Sequence, residues 1–540
     1  MTGKKNRYAK MSTSFLYGIE GFLAEIEVTI CAGLPTFEIV GLCDPSIRES
    51  KERVRASIRY AGYEFPTGRI TVGLSPAYMH KSGSSFDLPL ALCILMASGQ
   101  IRNSLNGRIF AYGELTLTGE VRDVPGSIPR MVCTQDTDIA HIIVPARNVR
   151  EAAIMEIAAR GAGTLKGAVR YIEGHKEEND PDRLSGKSFL DDADSLIYSN
   201  PGLLTPETHA GALSETFLES IDFSLLRGQE KTGRAILLAA SGFHNILLTG
   251  SPGSGKTTAA RILQGIMPPL TASEKLELLK LRSASRILLD EDLCLDQRPF
   301  RFVHHTCTSA AMAGGGSNPT PGELSLSLHG VLFLDEMAEF SPRVLDLLRQ
   351  PMEENSILIS RAGMKVRFPT QFLLVGAMNP CRCGRLLEDA MKCTCTELQR
   401  KQYANRISGP LMDRIDLFSE LYRIDSTALL ESVQGSSMHL SPLLREQVDA
   451  CWERQYRRCD EAGQPRVLNG SNRTHQIMDF FRISQKSAEF AVQSAEKLRI
   501  SARGLNRMLR VSRTIADLEG EKDVMISHVS EAMQFRRKTQ

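Results

Sequence analysis

The stretch that most constrains this chain is Gly250-Ser251-Pro252-Gly253-Ser254-Gly255-Lys256-Thr257, which fits the pattern G-x-x-x-x-G-K-[ST]. The apolar segment His244 to Thr249 precedes it, and Thr258-Ala259-Ala260-Arg261-Ile262-Leu263 follows as the start of a helix. Phosphate binding needs that order. A glycine-rich turn lets backbone N–H groups close around phosphate oxygens, and the helix N-terminus adds the positive end of its dipole. Lys256 can then reach the β/γ-phosphates and Thr257 offers a hydroxyl to Mg2+, so residues Gly250 to Thr258 are the expected ATP-binding loop.

Composition narrows the class. A chain of 540 residues allows for about three domains. Apolar residues make up 42% and charged residues 24%, as in ordinary globular protein. No apolar run approaches the roughly 18 residues needed to span a bilayer. The start, Met1 to Asn6, lacks an apolar signal core, so a cytoplasmic protein with no membrane partner is expected. The net charge of +2 announces no polyanionic partner, so any nucleic-acid surface must be local. Of twelve cysteines, isolated ones such as Cys31, Cys93 and Cys133 read as reduced core residues.

Residues 1–175 alternate strand and helix signals. Phe22 to Ile30 alternates as a strand, with turn punctuation at Gly18 and Gly21. Pro45 to Tyr60 has a helical period, and Arg69 to Val72 reads as strand. The almost wholly apolar Leu88 to Ala97 predicts a buried helix. Strands are expected again at Ile109 to Tyr112 and Ile142 to Val144. Lys81 to Asp87, Gly113 to Val121 and Val144 to Asn148 together resemble the proteolytic domain of Lon-type proteases, so the resemblance implies a Lon-like α+β domain. Ser85 falls where that family places its nucleophile, and the position of its lysine base falls on Arg130. A guanidinium does not deprotonate in proteins, so no peptidase activity is expected. Residues 176–215, rich in acid, Asn and Pro, read as a linker.

Residues 216–425 carry the expected α/β core. A helix from Thr232 to Ala240 leads into the strand before the phosphate loop. Gly330 to Leu334 is an apolar strand ending in Asp335-Glu336, at the end where open α/β sheets bind ligands. Asp335 is expected to hold Mg2+ with Thr257, and Glu336 to orient and polarise the attacking water. A third strand, Phe372 to Met378, ends in Asn379-Pro380. Ser356 to Phe368 predicts a β-hairpin turning at Ala362-Gly363, with Met364, Val366 and Phe368 on one face and Lys365 and Arg367 on the other. That basic face reads either as a phosphate grip or as an ordinary solvated face. The segment Gly314 to Ser317 fits a second loop of the same kind or a connector. Four cysteines, Cys381, Cys383, Cys393 and Cys395, lie within fifteen residues; the grouping suits a tetrahedral Zn2+ site or redox-active free thiols.

From residue 426 to 540 the pattern turns helical, with segments at Leu443 to Arg458, Ala488 to Leu498, Arg503 to Leu518 and Ile526 to Phe535.

These blocks resemble the magnesium-chelatase-like branch of AAA+ ATPases. Further matches are Arg298 to Arg301 with His304-His305-Thr306, and Gly314 to Ser317 with Pro321 to Glu323. With the Lon-like region, nearly the whole chain resembles the bacterial ComM/YifB family. That resemblance implies an α/β multidomain architecture of Lon-like domain, P-loop AAA+ core and C-terminal helical lid. It also implies a homo-hexameric ring that hydrolyses ATP with Mg2+ and works on single-stranded, forked or branched DNA, as a branch-migration helicase in natural transformation. Asn379 falls at the sensor 1 position, where its amide holds the lytic water or the γ-phosphate. Arg503 falls at the sensor 2 position, the alternative being a surface arginine near a helix cap. An exposed arginine between Arg406 and Leu417 is expected to act on a neighbour's nucleotide, Arg414 first and Arg406 second. A hairpin just before sensor 1 points into the ring pore in these relatives, which makes Arg361, Lys365 and Arg367 the DNA candidates. The alternative is a chelatase-type or protein-remodelling ATPase that does not act on DNA.

Overall fold

Alternating apolar residues from Arg7 to Cys31 build a long antiparallel hairpin, β1 (Arg7–Tyr17) and β2 (Glu20–Cys31), which turns at Gly18 with φ 67°. The computed structural model describes residues 7–42, 44–81, 83–174, 221–226, 228–285, 297–316, 319–361, 364–387, 393–422, 439–471 and 476–536. The linker expected at 176–215 lies outside the described residues. Two compact units emerge, one within Met1–Glu207 and Leu279–Cys294, the other within Thr208–Leu278 and Leu295–Gln540.

In the first unit the hairpin joins β3 (Thr36–Val40), β4 (Arg69–Ser75), β5 (Arg108–Ala111), β8 (Ile139–Pro145) and β9 (Arg160–Ala162) in one seven-stranded sheet, ordered β3-β4-β2-β1-β5-β8-β9; β6 (Glu114–Leu115) and β7 (Val121–Arg122) form a separate small ribbon. Strand β2 buries Ala24, Ile26, Val28 and Ile30 on one face, the period-two pattern of a half-buried strand. The apolar helix Asp87–Ser98 packs in the same core and stops at Gly99, φ 75°. Gly21, expected at a turn, instead lies inside β2. A Cβ there would sit 2.0 Å from the Pro129 carbonyl oxygen, so the glycine answers a close backbone approach. Cys93 is buried as expected, whereas Cys31, at the end of β2, is exposed.

The second unit is built on five parallel strands: β10 (Ile246–Gly250), β11 (Phe300–Val303), β14 (Val331–Leu334), β17 (Leu373–Met378) and β18 (Leu417–Leu421), ordered β11-β14-β17-β10-β18. Two short ribbons accompany them, β12 (Gly314–Gly315) with β13 (Thr320–Pro321) and β15 (Ser356–Arg361) with β16 (Met364–Pro369). Strands β14 and β17 are buried at every residue, which is why they read as unbroken apolar runs. Helices at Leu440–Glu461, Gln485–Lys497, Ala502–Glu519 and Ile526–Gln534 share one hydrophobic core with this sheet and with the helix Glu230–Gly242. Trp452 Nε1 donates to the Ala240 carbonyl at 3.0 Å and Gln455 Nε2 to that of Ser241 at 2.7 Å. No helix among the described residues is long and apolar enough to cross a membrane.

Asn245 and Asp416 set the strand starts. Asn245 Oδ1 accepts from Leu374 N at 2.9 Å, and its own N–H donates to Asp416 Oδ2 at 3.0 Å. Asp416, 1% exposed, also binds Arg507 at 2.6 Å and faces His244 at 3.8 Å. The Arg507 guanidinium is the counter-ion of this buried carboxylate. Burial pushes the Asp416 carboxyl up, but Arg507 and His244 outweigh it and hold it well below the usual carboxylate range. A carboxyl depressed by folding stabilises fully above its unfolded value of about 3.9, and that stability drains away as pH falls toward the folded value. Replacing Arg507→Ala strands this charge and should destabilise the second unit by about 3–5 kcal/mol, read from urea unfolding near neutral pH. The deficit should shrink in acid as Asp416 protonates. A deficit below about 1 kcal/mol would show that the pair carries no such weight.

Candidate nucleotide site

Parallel pairing puts the ends of three strands at one sheet edge. Thr249 lies opposite Met378 and Leu334 opposite Gly376, so the phosphate loop, Asp335-Glu336 and Asn379 leave the sheet side by side. They surround a cavity of about 420 Å3, lined by Pro252 to Thr258, Asp335, Glu336, Met378 and Asn379. This edge unites the residues expected from the motif with those expected from the two strand ends.

The loop has the form of a phosphate cradle. Gly253 and Gly255 adopt φ 78° and 86°, the left-handed region that glycine enters at no steric cost, and a Cβ on either would project into open space. Gly250 is closed to any side chain: a Cβ would meet Ser254 Oγ at 2.5 Å and the Leu421 carbonyl oxygen at 2.8 Å. The buried hydroxyls of Ser251 and Ser254 find no partner among the described residues. Open glycine edges, orphaned hydroxyls and the start of the helix Lys256–Gly265 together fit a bound phosphate chain.

Lys256 Nζ donates to the carbonyls of Gly250 at 2.7 Å and Ser251 at 2.9 Å, and to Asn379 Oδ1 at 3.3 Å. Burial lowers its pKa, while the charges of Asp335 and Glu336 pull it back up. Asp335 Oδ1 accepts the Glu336 N–H at 2.9 Å. Glu336 itself takes the left-handed conformation, φ 49° and ψ 45°, unusual for a residue with a side chain. His305 Nδ1 lies 3.0 Å from Glu336 Oε2. The sequence carried the His304-His305 pair without a role; the signal available was its place at the end of β11, the strand beside β14.

Other expected residues fall elsewhere. Arg414 is not exposed: it is 7% accessible, paired with Glu353, and its Nη1 donates to the Pro410 carbonyl at 2.6 Å. Arg406 is the more accessible of the two and pairs with Glu339. Arg503 is exposed in the first turn of the helix Ala502–Glu519 and does not line the cavity. On the hairpin, Val366 and Phe368 are buried while Lys365 and Arg367 are exposed, as the alternation predicts. Arg361 pairs in register with Met364; the turn at Ala362-Gly363 lies outside the described residues, as does Ser317 of the expected second loop. In the first unit Ser85 Oγ is buried without a partner among the described residues, and the buried Arg130 donates to the carbonyls of Ser14 and Pro125 at 2.6 and 3.3 Å. Burial lowers Arg130 to about 10, which still leaves it a cation at neutral pH rather than a base.

The four clustered cysteines come together. Cys381 Sγ is 3.4 Å from Cys383 and 3.7 Å from Cys393, Cys383 is 3.5 Å from Cys393, and all four sulfurs including Cys395 lie within 4.8 Å of one another. A tetrahedron with Zn–S bonds of about 2.3 Å has sulfurs about 3.8 Å apart, and a disulfide needs about 2.05 Å. The spacing is compatible with a tetrahedral metal site and too long for a disulfide.

Comparison with known proteins identifies the family. The family described as magnesium chelatase, subunit ChlI, matches residues 222–429; subunit ChlI of Mg-chelatase matches 26–148, and the subunit ChlI C-terminal family matches 439–536. Competence protein ComM of Haemophilus influenzae is 36% identical over 535 residues, covering 97% of this chain and 98% of that protein. Uncharacterized protein YifB of Salmonella typhimurium is 35% identical over 535 residues, covering 98% and 97%. The magnesium-chelatase 38 kDa subunit of Cereibacter sphaeroides is 29% identical over 174 residues, 29% of this chain. The mixed α/β architecture with its parallel sheet fits an AAA+, magnesium-chelatase-like fold, and with near full-length identity above one third to ComM, the chain belongs to the ComM/YifB family of magnesium-chelatase-like proteins.

Proposed function

We propose that this protein is an ATP-hydrolysing AAA+ motor that assembles as a homo-hexameric ring and acts on DNA, as a branch-migration helicase or translocase at forked or branched substrates. The observation that carries the ATPase reading is the convergence of Lys256, Thr257, Asp335, Glu336 and Asn379 on one cavity at one sheet edge. Backbone N–H groups of the loop and the Lys256 ammonium hold the β/γ-phosphates; Glu336, with His305 Nδ1 3.0 Å away, orients and polarises the water; the Asn379 amide fixes the attacking geometry. Thr257 and Asp335 would hold a Mg2+, which would supply charge neutralisation at the phosphates. With Arg414 buried, Arg406 is the accessible cation of its segment for a neighbour's nucleotide. Arg503 is retained as the sensor of a helical lid, and the first unit as a Lon-like domain without peptidase chemistry. The four cysteines are read as a Zn2+ site.

DNA is supported by two things: similarity over nearly the whole chain to a competence protein, and the exposed Lys365 and Arg367 on a hairpin whose other face is buried. Repetition of the two cations around a ring makes a basic pore from chains of modest net charge. The chelatase-type or protein-remodelling alternative is favoured by the chelatase family matches, and it requires ATPase activity that ignores DNA.

Lys256→Ala should abolish tight ATP binding. Glu336→Gln should keep binding but slow hydrolysis by about 100-fold or more, measured as phosphate release under saturating ATP. Near-normal turnover in Glu336→Gln would remove that carboxylate from the mechanism.

For the motor, the double change Lys365→Ala with Arg367→Ala should weaken binding of forked and four-way DNA alike, whatever the sequence, and flatten its salt dependence by roughly one to two charges per engaged subunit. Basal ATPase should persist and its stimulation by DNA should fall. A wild-type protein that hydrolyses ATP yet neither binds nor moves any of these DNAs would replace the DNA reading with the remodelling one.

A further inference from the structure

The four-cysteine knuckle touches the phosphate loop. Cys381 follows Asn379-Pro380 directly, and Gly384 N donates to the Cys381 carbonyl at 3.0 Å, closing the turn between the first two thiols. Gly384 has φ +76°, and a Cβ there would stand 2.7 Å from Pro252 Cδ and 3.1 Å from Pro252 Cγ. The knuckle therefore lies flat against the proline of the loop, at a point where only hydrogen fits. A proline ring cannot swing aside as a long side chain does, so this contact transmits position. On the other side, Asn379 Oδ1 accepts from Lys256 Nζ at 3.3 Å. The knuckle thus meets both ends of one constellation: the loop through Pro252, and its lysine through the residue two before Cys381.

We propose that Cys381, Cys383, Cys393 and Cys395 hold a Zn2+ that braces the phosphate loop through Gly384 and Pro252, so that nucleotide affinity depends on the metal. The inference rests on the reading of the cavity as an ATP site. Without the metal, the four thiols on two short segments meet, among the described residues, through weak S–H contacts and backbone N–H bonds to the Cys383 sulfur. The turn carrying Gly384 and the end of β17 then gain freedom that ATP binding must remove, and affinity falls by that cost. Thiolates suit Zn2+ at a tetrahedral, closed site of this type, which has a structural rather than a catalytic role.

The test uses full-length protein purified without chelator. Metal content by mass spectrometry should give about one Zn2+ per chain. Fluorescent ATP titration should then show affinity falling by about tenfold or more after zinc is stripped with a chelator under reducing conditions, and returning when Zn2+ alone is added back. Circular dichroism checks that the stripped protein remains folded. Gly384→Ala keeps all four thiols; compared at equal zinc occupancy, it should bind ATP more weakly by a similar factor. Wild-type protein that neither holds nor takes up zinc overturns the site. Stripped protein with unchanged ATP affinity, or Gly384→Ala with wild-type affinity, overturns the brace while leaving the metal in place. Zinc-loaded protein that binds no ATP overturns the ATPase reading, and the coupling falls with it.

Discussion

A carboxylate sealed from water can persist as an anion only if the fold surrounds it with cations and donors, and the second unit is arranged around one such group. Asp416 receives the Asn245 N–H and the Arg507 guanidinium and lies 3.8 Å from His244 Nδ1. Those partners come from the residues before β10 and from the helix Ala502–Glu519. Satisfying one charge therefore locks β18 beside β10 and holds a C-terminal helix at the base of the sheet. Since parallel strands rise at a constant step, locking their starts also locks their ends, and the loop at Gly250 inherits its position from an ion pair at the opposite edge.

The electrostatics of the nucleotide edge follow from this alignment. Lys256 is half-buried between two carboxylates and a set of loop carbonyls, so its charge is held close to where phosphate oxygens would sit rather than left in water. His305, two residues beyond the edge strand β11, brings its Nδ1 to 3.0 Å from Glu336 Oε2.

Local order was legible in the sequence where one segment carries its own signal. The phosphate loop, the buried runs of β14 and β17, the alternation of the hairpin and the helix Pro45–Tyr60 all emerge where periodicity places them. The cysteine grouping was legible too, since its members are close in the chain. What escaped depends on distant partners. Gly21 answers a backbone more than a hundred residues away; Arg507 answers Asp416; His305 answers Glu336. Arg414 is a case of the same kind: it was expected to be exposed between Arg406 and Leu417, and only the fold shows it buried and paired with Glu353. Spacing along a chain reports which residues share an element, not which elements meet.

The left-handed backbone of Glu336 has a consequence for how this protein can vary. A side chain in that conformation costs free energy that glycine would not incur, so the strand end is strained at the residue proposed to do the chemistry. Exchange for glycine should relax the turn while erasing the carboxylate proposed to act on water. If Glu336 acts as proposed, local backbone strain and chemistry pull in opposite directions at this one residue, and a lineage released from the need to hydrolyse nucleotide would lose one of the two constraints that hold a carboxylate there.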